Sequence, residues 1–386
     1  MNREVGGLHD QELELVHETV RDFVQAEIAP NADAWEADAD FPLELFRRAG
    51  SIGLFGMKFD PKWGGTGPNL RADVSVTEEL ARGGSAGVAN ALGAHKDLAC
   101  HYLSEYGSDE QKERVLRPAI AGEKIGALAI TEPQGGSDVA GTATRAERTS
   151  HGWRITGQKV FITNGDFADF LIVLARTDPK PGRRGLTLFL VERPLAGLEA
   201  RRLSMLGWRP SHTCELFFDG CEVPAGAVLG EEGRGFYHVM KALEWERVVM
   251  AFGATAAARL ALEKAIEYAR ERMIFGTPVL ANQVWQHRFA DCLADLEAAR
   301  ALALQALDSF ATEGRADLPA MAKLVATRTA CRISDEVVQV YGGYGYAMDY
   351  SAQRFYRDAR LGPIGGGTSE VLREVIARLN HLSTPR

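Results

Sequence analysis

The stretch FYHVMKALEWERVVMAFGATAAARLALEKAIEYARER, residues 236–272, decides the fold of this 386-residue chain. It holds no proline, and its single internal glycine is Gly253. Apolar residues recur along it at the spacing of one helical face, which predicts a long and largely buried α-helix. A buried helix of this length needs partners on several sides, so we expect other long helices to pack against it.

One acidic residue, Glu246, falls on the apolar face of this helix. A carboxylate among aliphatic side chains loses hydration, which raises its pKa and suits it to act as a base near neutral pH. The helix alone equally allows an ion pair with an arginine from another helix. Glu244 differs, because Lys241 and Arg247 are ready partners of opposite charge. The helical neighbours of Glu246 are Ala242, Leu243, Val249 and Met250.

The composition is that of an ordinary globular protein, with 46% hydrophobic and 25% charged residues. The formal charge of −8 gives no sign of nucleic-acid binding. Five cysteines without CxxC spacing predict neither a metal site nor a disulfide framework, and they favour a reducing compartment. No apolar run reaches membrane-spanning length, and the opening MNREVGGLHD lacks an apolar signal core. We therefore expect a cytoplasmic protein without a membrane span.

Three regions differ in pattern. Residues 1–124 carry amphipathic helical runs, and residues 125–235 carry short β-rich runs with no long helix between them. The second pattern predicts an antiparallel β-sandwich or barrel rather than a doubly wound sheet. Residues 236–386 return to helix, and long helices with short connections predict a four-helix bundle. The fold class is therefore mainly α with a central β domain.

Two polar clusters follow predicted strands: TEPQGGSD at 131–138 and KVFITNG at 159–165. Paired glycines allow a ligand to approach the backbone, whose N–H groups can receive an anion or an electron-rich ring atom. An aromatic residue followed two positions later by a hydroxyl suits a flat ring bound on one face and along one edge. Composition alone favours ordinary β-turns for both clusters.

Five separated segments remove this ambiguity, because in this order they resemble the acyl-CoA dehydrogenase family over nearly the whole chain. The resemblance implies that family's fold, namely a helical N-terminal domain, a middle β domain and a C-terminal helical bundle. It also implies noncovalently bound FAD, in agreement with the lack of a GxGxxG motif between a strand and a helix. The segments are AITEPQGGSDVAG (129–141), GQKVFITNG (157–165), ARERMIFGTPVLANQ (269–283), VQVYGGYGY (338–346) and RDARLGPIGGGTSEVLRE (357–374).

The same resemblance implies which residues hold the cofactor. Beside the pyrimidine side of the flavin it places Leu128, Ile130, Thr131, Gly136 and Ser137, and against the ring it places Phe161, Ile162 and Thr163. Near the phosphates and adenosine of a neighbouring subunit's FAD it places Arg272, Phe275, Gln283, Gln339, Gly342 and Gly343. Beside the adenosine diphosphate of the same subunit it places Thr368 and Glu370. It thus implies a homotetramer, a dimer of dimers whose FAD reaches across a subunit boundary.

The catalytic base is where the chain departs from the commonest family pattern. Many members carry a glutamate two residues before the threonine of the GTS segment, and here that position is Gly366. A branch resembling the isovaleryl-CoA and long-chain enzymes carries its glutamate on the long helix before an arginine, which matches Glu246 and Arg247. The resemblance thus implies that Glu246 removes the α-proton of an acyl-CoA while a hydride leaves the β-carbon for the flavin.

The resemblance also implies a setting for the substrate. The backbone N–H at Gly366 and a ribityl hydroxyl would stabilise the developing enolate. Near the thioester and its pantetheine arm it places Ser137, Glu244, Arg247 and Gly367. Electron-transfer flavoprotein is the expected acceptor. An intrahelical pair with Glu244 remains the alternative role for Arg247.

Four other functions stay open at this point. The same scaffold could work as an enoyl-CoA reductase, act on carrier-protein thioesters, serve as a non-catalytic subunit of a mixed oligomer, or act as an acyl-CoA oxidase. The sequence does not set the length, branching or ω-carboxylation of the acyl group.

Overall fold

The computed structural model describes residues 10–180 and 182–382. Residues 1–9, which hold most of the opening stretch without an apolar signal core, lie outside this range. The N-terminal region is helical, as predicted, and short π-helical segments join several of its helices into longer ones. Its helices are α1 (Asp10–Phe23), α2 (Ala32–Asp38), α3 (Glu44–Ser51), α4 (Leu70–Arg82), α5 (Ala86–Gly93), α6 (Cys100–Tyr106), α7 (Asp109–Gln111) and α8 (Arg117–Ile120).

Side-chain caps fix several of these helix starts. The predicted capping box is present at α7, where Ser108 accepts from the Gln111 backbone N–H and the Gln111 side chain accepts in return. Asn69 caps α4 by accepting from the Ala72 backbone N–H, and Ser85 caps α5 by accepting from that of Val88. Between α5 and α6 the chain stays helical through a π segment, Ala94–Ala99, whose polar side chains turn inward.

The middle region is one eight-stranded sheet in the order β6-β7-β3-β2-β4-β5-β8, with β1 also paired to β4. Its strands are β1 (Gly126–Ala129), β2 (Arg145–Arg148), β3 (Gly152–Ile162), β4 (Phe170–Arg176), β5 (Leu186–Glu192), β6 (Leu198–Arg202), β7 (Cys214–Pro224) and β8 (Val228–Leu229). The predicted antiparallel β domain is confirmed, with two parallel pairings added, β1 with β4 and β2 with β4. The sequence did not reveal β6, because its residues LEARR are largely exposed and charged.

The C-terminal region is a helical bundle built on the long helix, as predicted. Its helices are α9 (Gly235–Glu271), α10 (Gln283–Ala311), α11 (Leu318–Tyr341), α12 (Ser351–Ala359) and α13 (Ser369–Leu379). A small hairpin of β9 (Met273–Ile274) and β10 (Thr277–Pro278) joins α9 to α10. The sequence interpretation missed α12, a short helix of mixed polar composition, SAQRFYRDA.

The long helix α9 contacts all three regions. It packs against α10 and α11 of the bundle, against α4 of the N-terminal region, and against β5 of the sheet. One core cluster contains Tyr102 of α6, Leu188 of β5 and Ala242 of α9, so the three regions share buried apolar surface at this point. The first half of α9 therefore lies where the regions meet, which is where clefts for ligands commonly form.

The described residues contain no candidate membrane span and no candidate metal site. None of the helices there is both long enough and apolar enough to cross a bilayer. No group of three or more histidine, cysteine, aspartate or glutamate side chains in those ranges is arranged to hold a metal ion. The boundaries at residues 124 and 235 stay predictions.

Candidate active site

Glu246 projects from α9 at this meeting point and is half-buried. In the described part of the chain its carboxylate forms no ion pair, so the alternative of a pairing with an arginine from another helix is not realised. Burial raises the pKa of Glu246, although the charges of Arg247 and Lys323 oppose the rise. A carboxylate held in this state has the properties of a general base.

A glycine faces this carboxylate. A Cβ added to Gly366 would lie 3.0 Å from Glu246 Oε1 and 2.5 Å from Met250 Sδ. Gly366 also has a φ of +61°, a conformation that disfavours other residues. The loop is held at its end by Thr368, which caps α13 by accepting from the backbone N–H of Val371. The structure thus brings together Glu246 and Gly366, as predicted from the two alternative positions of the base.

The two charged neighbours of Glu246 on α9, Glu244 and Arg247, differ in their partners. Glu244 pairs with Lys241 at 3.0 Å, as predicted. Arg247 is buried, and its Nε has no hydrogen-bond partner among the described residues. Burial lowers the pKa of Arg247, with Glu246 and Glu244 opposing the change. Since no Glu244–Arg247 hydrogen bond forms in this part of the structure, the guanidinium keeps donor capacity for a ligand.

The two polar clusters of the β region are bound to each other. The backbone N–H of Val160 donates to the carbonyl of Thr131 at 2.9 Å. Behind them, the buried ammonium of Lys159 donates to Glu132 at 2.7 Å and to the carbonyl of Ile130 at 3.1 Å. Although burial opposes it, Lys159 and its hydrogen bonds lower the pKa of Glu132. The buried Lys159–Glu132 pair holds both loops in a fixed conformation. Ordinary exposed turns would not need such a buried ion pair.

The surface between these loops is exposed and strained. Phe161 has a φ of +61° and is 59% exposed, although an aromatic residue disfavours both conditions. Thr163 accepts a hydrogen bond from Asn90 at 3.1 Å. Backbone strain of this kind concentrates at ligand sites. The Ile162 side chain is buried in the sheet core, and the contact of this residue with the ring stays a prediction.

The other residues predicted beside the flavin ring differ in how deeply they are buried. Leu128 and Ile130 are half-buried against the core that also contains Ala242 of α9. Thr131 is half-buried, whereas Gly136 and Ser137 are exposed. A Cβ at Gly136 would meet its nearest neighbour, Thr131 Cγ2, at 3.7 Å.

A second set of predicted residues gathers at the far end of α9. The Arg272 guanidinium carbon lies 5.4 Å from the ring centroid of Tyr344, which joins the α9 terminus to the segment Gly342–Tyr346. No atom lies within 4 Å of a Cβ added at Gly342 or Gly343. Arg272 follows Glu246 by 26 residues of continuous helix, which at about 1.5 Å per residue is about 39 Å. The exposed members of the set are Arg272, Phe275, Gln283, Gln339, Gly342 and Gly343.

Within one chain, therefore, this second set lies far from Glu246. The pair predicted beside the adenosine diphosphate, Thr368 and Glu370, lies at the start of α13, directly after the Gly366–Gly367 loop. Glu370 is exposed, and its own backbone N–H and the Thr368 side chain lower its pKa. These two residues are thus on the Glu246 side of the molecule.

Sequence reasoning missed two polar residues near Glu246. Tyr102 is 1% exposed, and its hydroxyl has no hydrogen-bond partner in the described ranges. Lys323 of α11 is fully buried and donates to the carbonyl of Gly367 at 2.7 Å. A lysine amid PAMAKLVAT, with alanines at 322 and 326, was the available signal for a buried cation.

Family models and known proteins are similar to this chain over all three regions of the fold. Three family models match: the acyl-CoA dehydrogenase N-terminal domain at 10–123, middle domain at 127–221 and C-terminal domain at 233–379. The chain is 36% identical over 375 residues to the mitochondrial long-chain specific acyl-CoA dehydrogenase of Rattus norvegicus, covering 96% of this chain and 87% of that protein. It is 37% identical over 376 residues to the mitochondrial isovaleryl-CoA dehydrogenase of Oryza sativa subsp. japonica, covering 96% and 91%.

A solved structure also resembles this chain over nearly its whole length. A glutaryl-CoA dehydrogenase from Mycobacterium smegmatis in complex with FADH2 superposes with a TM-score of 0.91 at 32% identity, covering 98% of this chain and 96% of that one.

Proposed function

Since the chain belongs to the acyl-CoA dehydrogenase family, we propose that Glu246 is the base with which it oxidises the α,β bond of an acyl-CoA thioester. The activity of the family is FAD-dependent dehydrogenation of acyl-CoA, and the chain is an oxidoreductase of this kind. The assignment of the base rests on the unpaired carboxylate of Glu246, which faces Gly366. Gly366 is the other position at which this family places a glutamate.

The residues present fit FAD. Phe161 offers an exposed ring face in a strained conformation, and Thr131, Thr163 and Ser137 offer hydroxyl groups beside it. FAD held by these residues would supply the acceptor for the hydride of the β-carbon. The chain's own residues hold the ring through the loops that the Glu132–Lys159 pair fixes.

Glu246 supplies the proton acceptor. An α-proton of a thioester is weakly acidic, so the base must be close, ionised and shielded from water. The acyl chain would remove the remaining water when it binds, which raises the affinity of the carboxylate for the proton. The N–H of Gly366 would stabilise the negative charge on the thioester oxygen, because that glycine faces the base across the site. Arg247, Glu244, Ser137 and Gly367 are proposed contacts of the thioester and its pantetheine arm.

The distribution of the predicted cofactor residues supports an oligomer. FAD is far shorter than the ~39 Å that separates Glu246 from Arg272 along α9, so the Arg272 group serves a flavin in another subunit. Phe275 is fully exposed and Tyr346 is 88% exposed, and large apolar side chains grouped at a surface are typical of an interface. The proposed assembly is a homotetramer, a dimer of dimers.

The electron acceptor and the location are two further proposals. Electron-transfer flavoprotein is the proposed acceptor, since a likeness with 31% identity and a TM-score of 0.93 is found with a chain from a study of the electron transferring flavoprotein of Acidaminococcus fermentans. A cytoplasmic location is proposed because the five cysteines are free thiols, as a reducing compartment requires.

The experiment is anaerobic titration of the purified FAD protein with short, long, branched and ω-carboxylated acyl-CoA thioesters. Bleaching of the flavin together with formation of trans-2-enoyl-CoA by mass is the expected result. If none of these thioesters bleaches the flavin but a carrier-protein thioester does, the proposed substrate class is wrong. Rapid peroxide formation in air would identify an oxidase instead. Turnover of enoyl-CoA with an electron donor, without turnover of acyl-CoA with an acceptor, would identify a reductase.

A further inference from the structure

Among the described residues three lysines are fully buried, and one of them differs from the others in its partners. Lys96 donates to Asp73 at 2.6 Å, and Lys159 donates to Glu132 at 2.7 Å, so each ammonium has a carboxylate partner. Lys323 has no carboxylate within 4 Å in the described part of the chain. A buried charge without a counterion lowers the stability of the fold by roughly several kcal/mol. The presence of Lys323 therefore calls for a reason other than stability.

The hydrogen bond of Lys323 reaches the loop that faces the base. Its ammonium donates to the carbonyl of Gly367 at 2.7 Å. The preceding residue, Gly366, is the one whose added Cβ would lie 3.0 Å from Glu246 Oε1. Of two adjacent residues of this loop, Gly367 therefore accepts from Lys323 of α11, and Gly366 faces Glu246 of α9.

This loop is dominated by glycine. Residues 365–367 are three consecutive glycines, and Gly366 and Gly367 adopt φ values of +61° and +93°. Glycine runs populate many backbone conformations, so a defined one needs outside contacts. Thr368 holds the end of the loop as the cap of α13, and Lys323 supplies the hydrogen bond one residue earlier.

We propose that Lys323 is a positioning residue for the dehydrogenation, which fixes the Gly366–Gly367 loop against Glu246 and presents a positive charge to the base without pairing with it. This inference rests on the proposed function. A direct ion pair would have to break before Glu246 could take a proton, whereas a nearby charge favours the ionised carboxylate at no such cost. Burial lowers the pKa of Lys323 to about 8, which leaves the ammonium charged at neutral pH.

The test is Lys323→Met, which keeps the volume of the side chain and removes its charge and donor. Replacing a buried charge by an apolar group is often neutral or stabilising, so the midpoint of thermal unfolding and the FAD content should stay level or rise. The rate constant for flavin reduction at saturating substrate should nevertheless fall by about tenfold to a hundredfold, with little change in KM. Amide hydrogen exchange in the 361–370 peptide should become faster without substrate present.

Two further variants separate this role from a structural one. Lys264→Met removes an exposed lysine of α9 and should change none of these quantities. Lys323→Arg keeps the charge and donor and should reduce its flavin faster than Lys323→Met, at equal FAD content. The inference is overturned if Lys323→Met reduces its flavin at the parent rate, or if Arg and Met are equally slow. Failure of the parent protein itself to be reduced by any acyl thioester would instead count against the proposed function.

Discussion

Gly366 lies directly opposite Glu246, since a Cβ added to this glycine would be 3.0 Å from Glu246 Oε1. Two positions that are 120 residues apart in the chain therefore converge on one point. Two carboxylates at that point would repel each other, and one would stay protonated at neutral pH. The pairing of one glutamate with one glycine is thus the arrangement that leaves a single ionisable base.

Moving the carboxylate across this gap should restore part of the activity. Glu246→Gly alone should lack measurable dehydrogenation, and Glu246→Gly with Gly366→Glu should recover some of it, because both side chains reach the same α-carbon. The recovery should be partial, since Met250 Sδ must move from its place 2.5 Å from the new Cβ. Steady-state assays of both variants with an artificial acceptor measure this. Equal inactivity of the two, with FAD bound in both, would mean that the positions do not share a target.

The Gly366 backbone gives a second prediction. Gly366→Ala places a methyl group against Met250 and Glu246 at a φ of +61°, which costs about 1 kcal/mol in backbone strain before any clash. We expect a lower unfolding midpoint and a lower kcat. Gly365→Ala is the matched control, because its Cβ would have no neighbour closer than 3.8 Å and its φ is not positive. Similar losses in both variants would contradict the specific role of Gly366.

Most of the fold could be predicted from the sequence, because helical periodicity in α9, α10 and α11 and apolar runs in β4 and β5 report burial directly. The edge strand β6 escaped detection, since it lies on the surface and its charged residues resemble a loop. Glu246 was identifiable because a carboxylate contrasts with its apolar neighbours along one helix. The apolar neighbours of Lys323 indicated a buried cation, but its hydrogen bond to a loop 44 residues away could not be predicted, because a single helix carries no record of that contact.

His95 should make the fold sensitive to acid. It is fully buried, with Nδ1 accepting from the backbone N–H of Gly126 at 3.0 Å and Nε2 at 3.0 Å from the carbonyl of Ala119, so its ring is neutral. Burial lowers the pKa of His95 to about 4 from 6.5. Between these values the unfolded chain binds more protons, so the free energy of unfolding should fall as the pH drops through this window, by about 3 kcal/mol at pH 4.

Urea unfolding at several pH values between about 7 and about 4 measures this slope. His95→Gln keeps a donor and an acceptor and should lose less stability over the same range. An identical acid slope in both proteins would show that other groups cause the loss.

The pH dependence of catalysis should reflect the buried base. Glu246 works only when ionised, and burial raises its pKa above the ordinary glutamate value of 4.5. The acid limb of kcat/KM should therefore lie at higher pH than an exposed glutamate would give. A profile that stays flat down to pH 4.5 would indicate that a carboxylate in this environment does not limit the rate.

The most direct measurement is anaerobic stopped-flow reduction of the flavin by saturating acyl-CoA in Glu246→Gln. This variant keeps the size of the side chain and its apolar contacts but cannot take a proton, so FAD binding should persist while the reduction rate falls by about three orders of magnitude or more. Glu263→Gln, on the exposed face of the same helix and paired with Arg82, should keep the parent rate. Reduction of the Glu246→Gln flavin at the parent rate would contradict the assignment of Glu246 as the base.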